Sequence, residues 1–209
     1  MAQILKESVR ELILDAATKL FARLSYKQAT MGMIAKEAGI ATGNIYKYFP
    51  NKDDLFYSIV TPKFVEELRS LTSDRVYALN QPERLSELDS ITDQEAGKLL
   101  QFWIENRLKV IILLSGSQGS DYENFRKEYI QSMFNQSITL IPQLQPHLQD
   151  NQLFRFTFKN QLLDTVNGVV SILKEFENGD DIAKAFSSSW AYHHAGIQAL
   201  IQWHSNGNQ

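Results

Sequence analysis

The residues best suited to binding a partner lie between positions 41 and 52, in the segment ATGNIYKYFPNK. Small residues come first, followed by an amide, two phenols and two lysines. Hydroxyl, amide and ammonium groups donate to phosphate oxygens and base edges, and small residues let a helix approach a duplex closely. The segment therefore predicts a short helix that binds double-stranded DNA through its N-terminal end.

Three helices in the first 50 residues must position this segment. Apolar residues recur at spacings of three and four from Leu5 to Leu24, which predicts a long amphipathic helix. Thr30 can cap a second helix, MGMIAKEAG, and Gly39 can end it in the left-handed conformation. After a tight turn, a third helix is expected from Thr42 to Tyr48. Two short helices joined in this way form a helix-turn-helix.

The third helix must stop at Pro50, and Asn51 can cap a fourth helix, whose first turn is acidic. Ile45 and Phe49, four residues apart, should face inward and anchor the third helix. The spacing predicts further amphipathic helices at about 52–71, 94–114, 122–141, 153–176 and 180–203.

The alternation LFRFTF at 153–158 could form a strand, but it runs into LLDTVNGVVSILKEF at helical spacing, so we predict a helix. Residues 72–93, which are polar and contain Pro82, should be the least ordered part of the chain. The segment SGSQGS should break a helix, at the wall of a ligand pocket. The fold class is all-α, with domains at 1–51 and 52–209.

Composition narrows the possible functions. The 209 residues include no cysteine, which excludes disulfides and thiolate zinc sites. The net charge is −3, but residues 1–55 hold eight Lys and Arg against six Asp and Glu, so a nucleic acid would meet this part of the chain. The apolar run VIILL is too short to span a bilayer, and the N-terminus does not resemble a signal peptide, so we expect a cytoplasmic protein.

No motif points to a cofactor, a metal or an enzyme. There is no phosphate-cradling glycine loop and no nucleophile elbow, although catalysis by residues distant in sequence stays open. His193 and His194 point about 100° apart on a helix, so they cannot easily hold one ion together.

The segment from Thr30 to Leu55, T-x3-IAKEAGIATGNIYKYFPNKDDL, resembles the TetR or AcrR family of one-component bacterial regulators. The spacing from the IA pair through AG, G-x-IY, YF and NK to DL matches the family pattern without a gap. The resemblance covers the first quarter of the chain. The rest resembles the family only in length and helical character.

The resemblance implies a homodimer that reads an inverted-repeat operator, with half-sites about one helical turn, roughly 34 to 36 Å, apart. The two C-terminal helices would form the dimer interface, and a small-molecule effector would release the DNA, as in a repressor. Thr42 replaces a common Ser and keeps its hydroxyl. Tyr48 replaces a common His, so a phosphate contact is not carried over to that position. The positions that match DNA contacts are Thr30, Thr42, Gly43, Asn44, Tyr46, Lys47 and Lys52.

Aromatic residues recur at helical spacing in the C-terminal half, where they form a core and could line an effector pocket. Arg107, Asn167 and His194 lie within these apolar faces, and each either bonds internally or meets the effector. If Arg107 faces the pocket, the effector carries an acid or another acceptor. The candidate effector residues are Phe102, Trp103, Arg107, Phe125, Tyr129 and Asn167.

The last two helices should pair antiparallel, with small residues such as Gly168 and Ala191 allowing close approach in a four-helix dimer seam. Two alternatives to a ligand-responsive repressor remain open. One is a DNA-binding activator without effector control, and the other is a helical ligand carrier or enzyme that has lost DNA recognition.

Overall fold

The computed structural model describes residues 2–79, 94–144, 148 and 150–205, which form α-helices and no strand. The all-α prediction is confirmed, and LFRFTF lies in a helix. The helices are α1 Ala2–Leu24, α2 Met31–Glu37, α3 Thr42–Ile45, α4 Lys52–Ile59, α5 Pro62–Leu79, α6 Gln94–Glu105, α7 Arg107–Ser115, α8 Phe125–Leu144, α9 Gln152–Glu175 and α10 Gly179–Ser205.

Helix α5 is longer than the sequence predicted. The prediction that 72–93 is the least ordered part is wrong for 72–79, which are helical. Thr72 and Arg75 are buried there, and the Thr72 hydroxyl contacts the Tyr129 hydroxyl at 2.5 Å. Polar residues thus lie inside the fold because they have partners. The rest of that segment, including Pro82, lies outside the described residues.

The single helix predicted over 94–114 is divided at Asn106 into α6 and α7. The Asn106 backbone N–H donates to the Phe102 carbonyl at 3.0 Å, and its side-chain amide donates to the same oxygen at 3.1 Å. An Asn side chain that bonds the backbone of the preceding turn competes with continuation of the helix.

The described residues pack as two units. The N-terminal unit comprises residues up to Glu66 together with Leu108–Arg126, and the C-terminal unit comprises Glu67–Arg107 and the described residues from Lys127 onward. The domain boundary at residue 51 stays a prediction. Leu108–Arg126, a segment from the middle of the chain, therefore packs in the same unit as the first four helices.

Phe56 forms the centre of the N-terminal unit. It is fully buried, and four aromatic rings surround it. Three of these rings, those of Phe21, Tyr26 and Tyr57, meet Phe56 edge-on, and such contacts add to the stabilisation that burial itself provides. The surrounding rings, with centroid distances from Phe56, are Tyr26 at 4.8 Å, Phe21 at 5.3 Å, Tyr57 at 5.3 Å and Tyr122 at 6.5 Å.

Residues 116–124, which connect α7 to α8, pack against the helices of the N-terminal unit. The Tyr26 backbone N–H donates to the Gly116 carbonyl at 2.7 Å, and the Asp121 N–H donates to the Tyr57 hydroxyl at 2.9 Å. A Cβ at Gly116 would lie 2.9 Å from the Phe21 carbonyl oxygen, so only glycine fits without a shift. The predicted helix break is confirmed, and Gly116 packs within the N-terminal unit, while its place at a pocket wall stays a prediction.

In the C-terminal unit, α10 folds back along α9. A Cβ at Gly168 of α9 would lie 3.6 Å from Ser189 Oγ and 3.8 Å from His193 Nε2 of α10, which are ordinary contact distances, so the packing of α9 on α10 does not require glycine there. Only Ile182 and His204 of α10 are buried. None of the helices in the described part of the chain combines the length and apolarity needed to cross a bilayer.

Candidate nucleic-acid interface

Two side-chain caps begin the helices on either side of α3. The Thr30 hydroxyl accepts from the Met33 N–H at 3.2 Å at the start of α2. The Asn51 side-chain oxygen Oδ1 accepts from the Asp54 N–H at 2.7 Å at the start of α4. Each cap satisfies a backbone donor that the first turn leaves unpaired. Both caps confirm the sequence prediction.

The turn between α2 and α3 is closed by backbone hydrogen bonds. Gly39 has a φ of 68°, in the left-handed region that favours glycine. Its N–H donates to the Lys36 carbonyl at 3.1 Å, and the Ile40 N–H donates to the Ala35 carbonyl at 2.9 Å. This pair of bonds is the Schellman motif, which redirects the chain sharply after a helix. The predicted helix-turn-helix is confirmed.

Helix α3 is shorter than predicted, because it ends at Ile45 rather than Tyr48. The chain continues as a tighter turn, in which the Tyr48 N–H donates to the Ile45 carbonyl at 3.0 Å. Ile45 is fully buried and Phe49 is 3% exposed, so both anchor the element as expected. Tyr48 is half-buried.

The outer face of α3 and of the turn that follows it consists of residues predicted to contact DNA, and all of them are exposed. None of the described residues forms an ion pair with Lys47. A Cβ at Gly43 would meet nothing within 4 Å, so packing within the chain does not require glycine there. We call this set the α3 face: Thr42, Gly43, Asn44, Tyr46 and Lys47.

Lys52 is placed differently from the prediction. It is half-buried, and its ammonium donates to the Tyr26 carbonyl at 2.9 Å and the Ala29 carbonyl at 3.2 Å. The same nitrogen lies 4.1 Å from the Tyr26 ring centroid. Two of its three N–H donors are therefore used inside the N-terminal unit. Lys52 joins the start of α4 to the chain between α1 and α2, and it is not part of the α3 face.

The neighbouring Asp53 reinforces this connection, since it accepts a hydrogen bond from the Tyr26 hydroxyl. Burial, followed by the Asp53 carboxylate, raises the pKa of Tyr26 above its ordinary value. The phenol consequently stays protonated and keeps donating. The signal in the sequence for this pair is weak, because 27 residues separate the two side chains.

The residues predicted to bind an effector differ in the unit to which they belong and in their burial. Phe125 belongs to the N-terminal unit and the other five to the C-terminal unit. Phe102, Trp103 and Tyr129 are buried, at 7%, 6% and 4% exposure. Burial raises the pKa of Tyr129 to about 12, so its hydroxyl is neutral. Asn167, expected within an apolar face, is exposed instead.

Arg107 follows the internal-bonding alternative. Its guanidinium donates to the Leu173 carbonyl at 2.8 Å and to the Glu177 carboxylate at 2.9 Å. These contacts give the half-buried charge partners on and just after α9. The geometry therefore gives no support to Arg107 as the group that meets an effector.

The chain is all-α, its helix-turn-helix is capped, and the second helix of that motif, α3, is polar and exposed. These features define the helix-turn-helix class of DNA-binding proteins. Residues 13–59 match the sequence model of the family described as bacterial regulatory proteins, tetR family. This region, which contains the helix-turn-helix, is therefore similar to the N-terminal DNA-binding domain of the TetR family.

Individual relatives match mainly in the same region. The uncharacterized HTH-type transcriptional regulator YhgD of Bacillus subtilis (strain 168) is 48% identical over 52 residues, which cover 25% of this chain and 27% of that protein. The fatty acid metabolism regulator protein of the same strain is 39% identical over 62 residues, covering 30% of this chain and 32% of the relative. The matches thus span about a quarter to a third of these relatives.

Among solved structures, the fatty acid degradation regulator FadR from Bacillus halodurans aligns over 95% of both chains, with 21% sequence identity and a TM-score of 0.41. This likeness is too weak to assign the arrangement of the C-terminal unit.

Proposed function

We propose that the protein is a dimeric, ligand-responsive regulator that represses transcription in the cytoplasm by binding an inverted-repeat operator. The observation that carries the proposal is the α3 face, which presents hydroxyl, amide, phenol and ammonium donors on a short helix and the turn after it, held by buried Ile45 and Phe49. A duplex offers the matching acceptors, namely phosphate oxygens and the edges of bases.

Within the α3 face, the side chains suit different parts of DNA. Asn44 can both donate and accept, which suits a base edge. Lys47 carries a compact charge, which suits phosphate, and Tyr46 and Thr42 offer hydroxyls to the backbone. At the start of α2, the Thr30 hydroxyl oxygen accepts in the cap, while its O–H can donate to a phosphate.

The outer surface of α9 and α10 supports dimerisation. Large apolar side chains are exposed there, including Phe156 at 68% and Tyr192 at 77%. Small residues of α10 are exposed as well, among them Ala195 and Gly196. An apolar surface on a helix pair suits an isologous interface, in which a second copy buries the same surface. Two paired α3 faces would then read two half-sites.

The effector is proposed to bind the C-terminal unit. Buried Phe102, Trp103 and Tyr129 support a site in its interior, whereas the contacts of Arg107, the exposure of Asn167 and the position of Phe125 in the other unit do not. Two relatives regulate fatty acid metabolism or degradation by their names, but the sequence match to the first covers the N-terminal domain.

The proposal is tested by selecting bound duplexes from a random pool with the purified protein at two salt concentrations. We expect an enriched inverted repeat whose binding weakens as salt rises, because phosphate contacts release counterions. A pool that stays unenriched at low salt would overturn the proposal and favour a carrier or an enzyme.

The two lysines should respond differently to substitution. Lys47→Met should weaken binding and reduce the slope of log affinity against log salt by about 0.9 for each phosphate that the protein no longer neutralises. Lys52→Met should leave that slope unchanged and instead lower the free energy of unfolding by about 1 to 2 kcal/mol, because two internal hydrogen bonds disappear. Fluorescence anisotropy on the selected duplex and urea unfolding measure both quantities. A reduced salt slope for Lys52→Met would show that this ammonium binds phosphate after all.

Gly43→Ala should have opposite effects on stability and binding. Because nothing lies within 4 Å of the added Cβ, the helix should gain about 0.5 to 1 kcal/mol. DNA affinity should fall, since the methyl group would separate the helix from the duplex. Urea unfolding and anisotropy test this, and unchanged affinity would mean that the backbone at Gly43 does not approach DNA closely.

A further inference from the structure

The sequence contains three Asn-Gly dipeptides, at 167–168, 178–179 and 206–207. Such a dipeptide can lose ammonia without an enzyme, because glycine has no Cβ to hinder attack by its backbone nitrogen on the asparagine amide. Helix α9 contains the first dipeptide, the second lies at the start of α10, and the third lies outside the described residues. The two described dipeptides therefore carry the same reactive groups on different backbones.

Helix α9 protects Asn167, which lies well inside it. Within an α-helix each N–H donates to the carbonyl four residues earlier, so the Gly168 nitrogen is hydrogen-bonded and fixed in place. It cannot approach the Asn167 amide until α9 opens locally. Local opening costs free energy, so we expect Asn167 to react slowly in the folded protein.

Asn178 has different surroundings, because it is exposed between α9 and α10. Its side-chain oxygen Oδ1 accepts from the Asp180 N–H at 2.8 Å and from the Asp181 N–H at 3.4 Å. A side chain bonded to the N–H two residues ahead folds back over the intervening peptide, as in an Asx turn. That peptide contains the Gly179 nitrogen. The bonds of Asn178 therefore hold its amide carbon Cγ beside the nitrogen that would attack it.

The Gly179 nitrogen is available for this reaction. Gly179 is the first residue of α10, so its N–H has no acceptor within that helix, and it donates to no other described residue. Packing favours glycine at this position, because an added Cβ would lie 3.1 Å from Ile104 Cγ2 of α6. The fold thus retains the reactive dipeptide at the start of α10.

The hydrogen bonds of the cap also favour the transition state of the reaction. When a nitrogen attacks Cγ, negative charge develops on Oδ1. The Asp180 and Asp181 N–H groups already donate to that oxygen, so they would stabilise the charge as an oxyanion hole does. The positive end of the α10 dipole acts in the same direction.

We propose that Asn178 is a modification site, at which the folded chain promotes its own deamidation. The Gly179 nitrogen loses its proton to a base in solvent and forms a bond to Asn178 Cγ. The bond from Cγ to Nδ2 breaks, and Nδ2 leaves as ammonia with a proton from water. Water then opens the resulting succinimide at either carbonyl, which gives aspartate or isoaspartate. The net reaction consumes water and releases ammonia, and it does not depend on the proposed function.

Incubation of the full-length protein, followed by peptide mapping with mass spectrometry, tests the site. In the folded protein we expect Asn178 to convert at least about tenfold faster than Asn167, because opening of α9 must precede the reaction at Asn167. In guanidinium chloride the two rates should become similar. Equal rates in the folded protein, or slower conversion of Asn178 when folded than when unfolded, would overturn the inference.

Asn178→Ser is the matched variant, because serine retains a capping oxygen but has no amide to lose. Its acidic product at position 178 should disappear, while conversion of Asn167 should keep its rate. Circular dichroism checks that the variant folds. An altered rate at Asn167 would mean that conversion at 167 depends on the cap of α10, which contradicts its protection by α9.

The two products should affect α10 differently. Aspartate still caps the helix, whereas isoaspartate adds a methylene group to the backbone beside the close contact of Gly179 with Ile104. Protein aged until Asn178 is converted should therefore unfold at lower urea concentration than Asn178→Asp incubated in the same way. Equal midpoints would show that isoaspartate leaves α10 undisturbed, and would overturn this consequence of the modification.

Discussion

Phe56→Ala should lower the free energy of unfolding by about 3 to 5 kcal/mol, the range for removing a large buried ring. Phe56 is fully buried among aromatic rings, with Tyr26 and Phe21 at centroid distances of 4.8 and 5.3 Å. Alanine would leave a cavity that these rigid rings fill poorly. Urea unfolding followed by circular dichroism, at one fixed protein concentration, measures the decrease in stability.

Tyr46→Ala is the matched control for Phe56→Ala. It removes an aromatic ring from the same unit, but Tyr46 is 49% exposed on the α3 face. Its effect on stability should stay within about 0.5 kcal/mol, as for ordinary surface positions. If the two variants lose similar stability, Phe56 is not the centre of the unit.

Gly116→Ala should have the second largest effect, a loss of about 1 to 3 kcal/mol, as for an overpacked site. The added Cβ would lie 2.9 Å from the Phe21 carbonyl oxygen and 3.3 Å from the Ile112 Cα. Both are backbone atoms within helices, so neither can move aside cheaply. The Gly116 carbonyl also accepts from the Tyr26 N–H at 2.7 Å, and a shift would strain that bond.

Gly97→Ala is the same substitution at an exposed helical position. A Cβ there meets nothing within 4 Å, so we expect a gain of about 0.5 to 1 kcal/mol from reduced chain entropy. Urea unfolding compares the two variants directly. Stabilisation of both would contradict the close approach of Gly116 to α1.

Much of the helix-turn-helix follows from local sequence. Thr30 and Asn51 cap their helices through bonds to N–H groups three residues ahead, and Gly39 ends α2 in the left-handed conformation. Such interactions join neighbours in the chain, so residue type and spacing predict them. The buried positions of Ile45 and Phe49 follow similarly from helical periodicity.

The break at Asn106 and the length of α5 are harder to predict. The Asn106 side chain bonds to the carbonyl four residues earlier, which an Asn within a helix does only in some contexts. The extension of α5 to Leu79 could not be predicted from the apolar periodicity, for a different reason. Polar Thr72 and Arg75 weaken the apolar periodicity there, although Tyr129 and Trp190 provide contacts for them in the fold.

The helix caps, the turn of the helix-turn-helix and the composition of the α3 face depend on neighbours along the chain, and the sequence is therefore sufficient to predict them. The roles of Lys52, Arg107 and Gly116 depend instead on how distant segments pack. Lys52 and Arg107 donate to backbone carbonyls 26 and 66 residues away, and Gly116 lies against the carbonyl of Phe21. Every residue has a backbone carbonyl, so the sequence does not indicate which carbonyl a distant side chain will bond. Only the tertiary structure determines that acceptor.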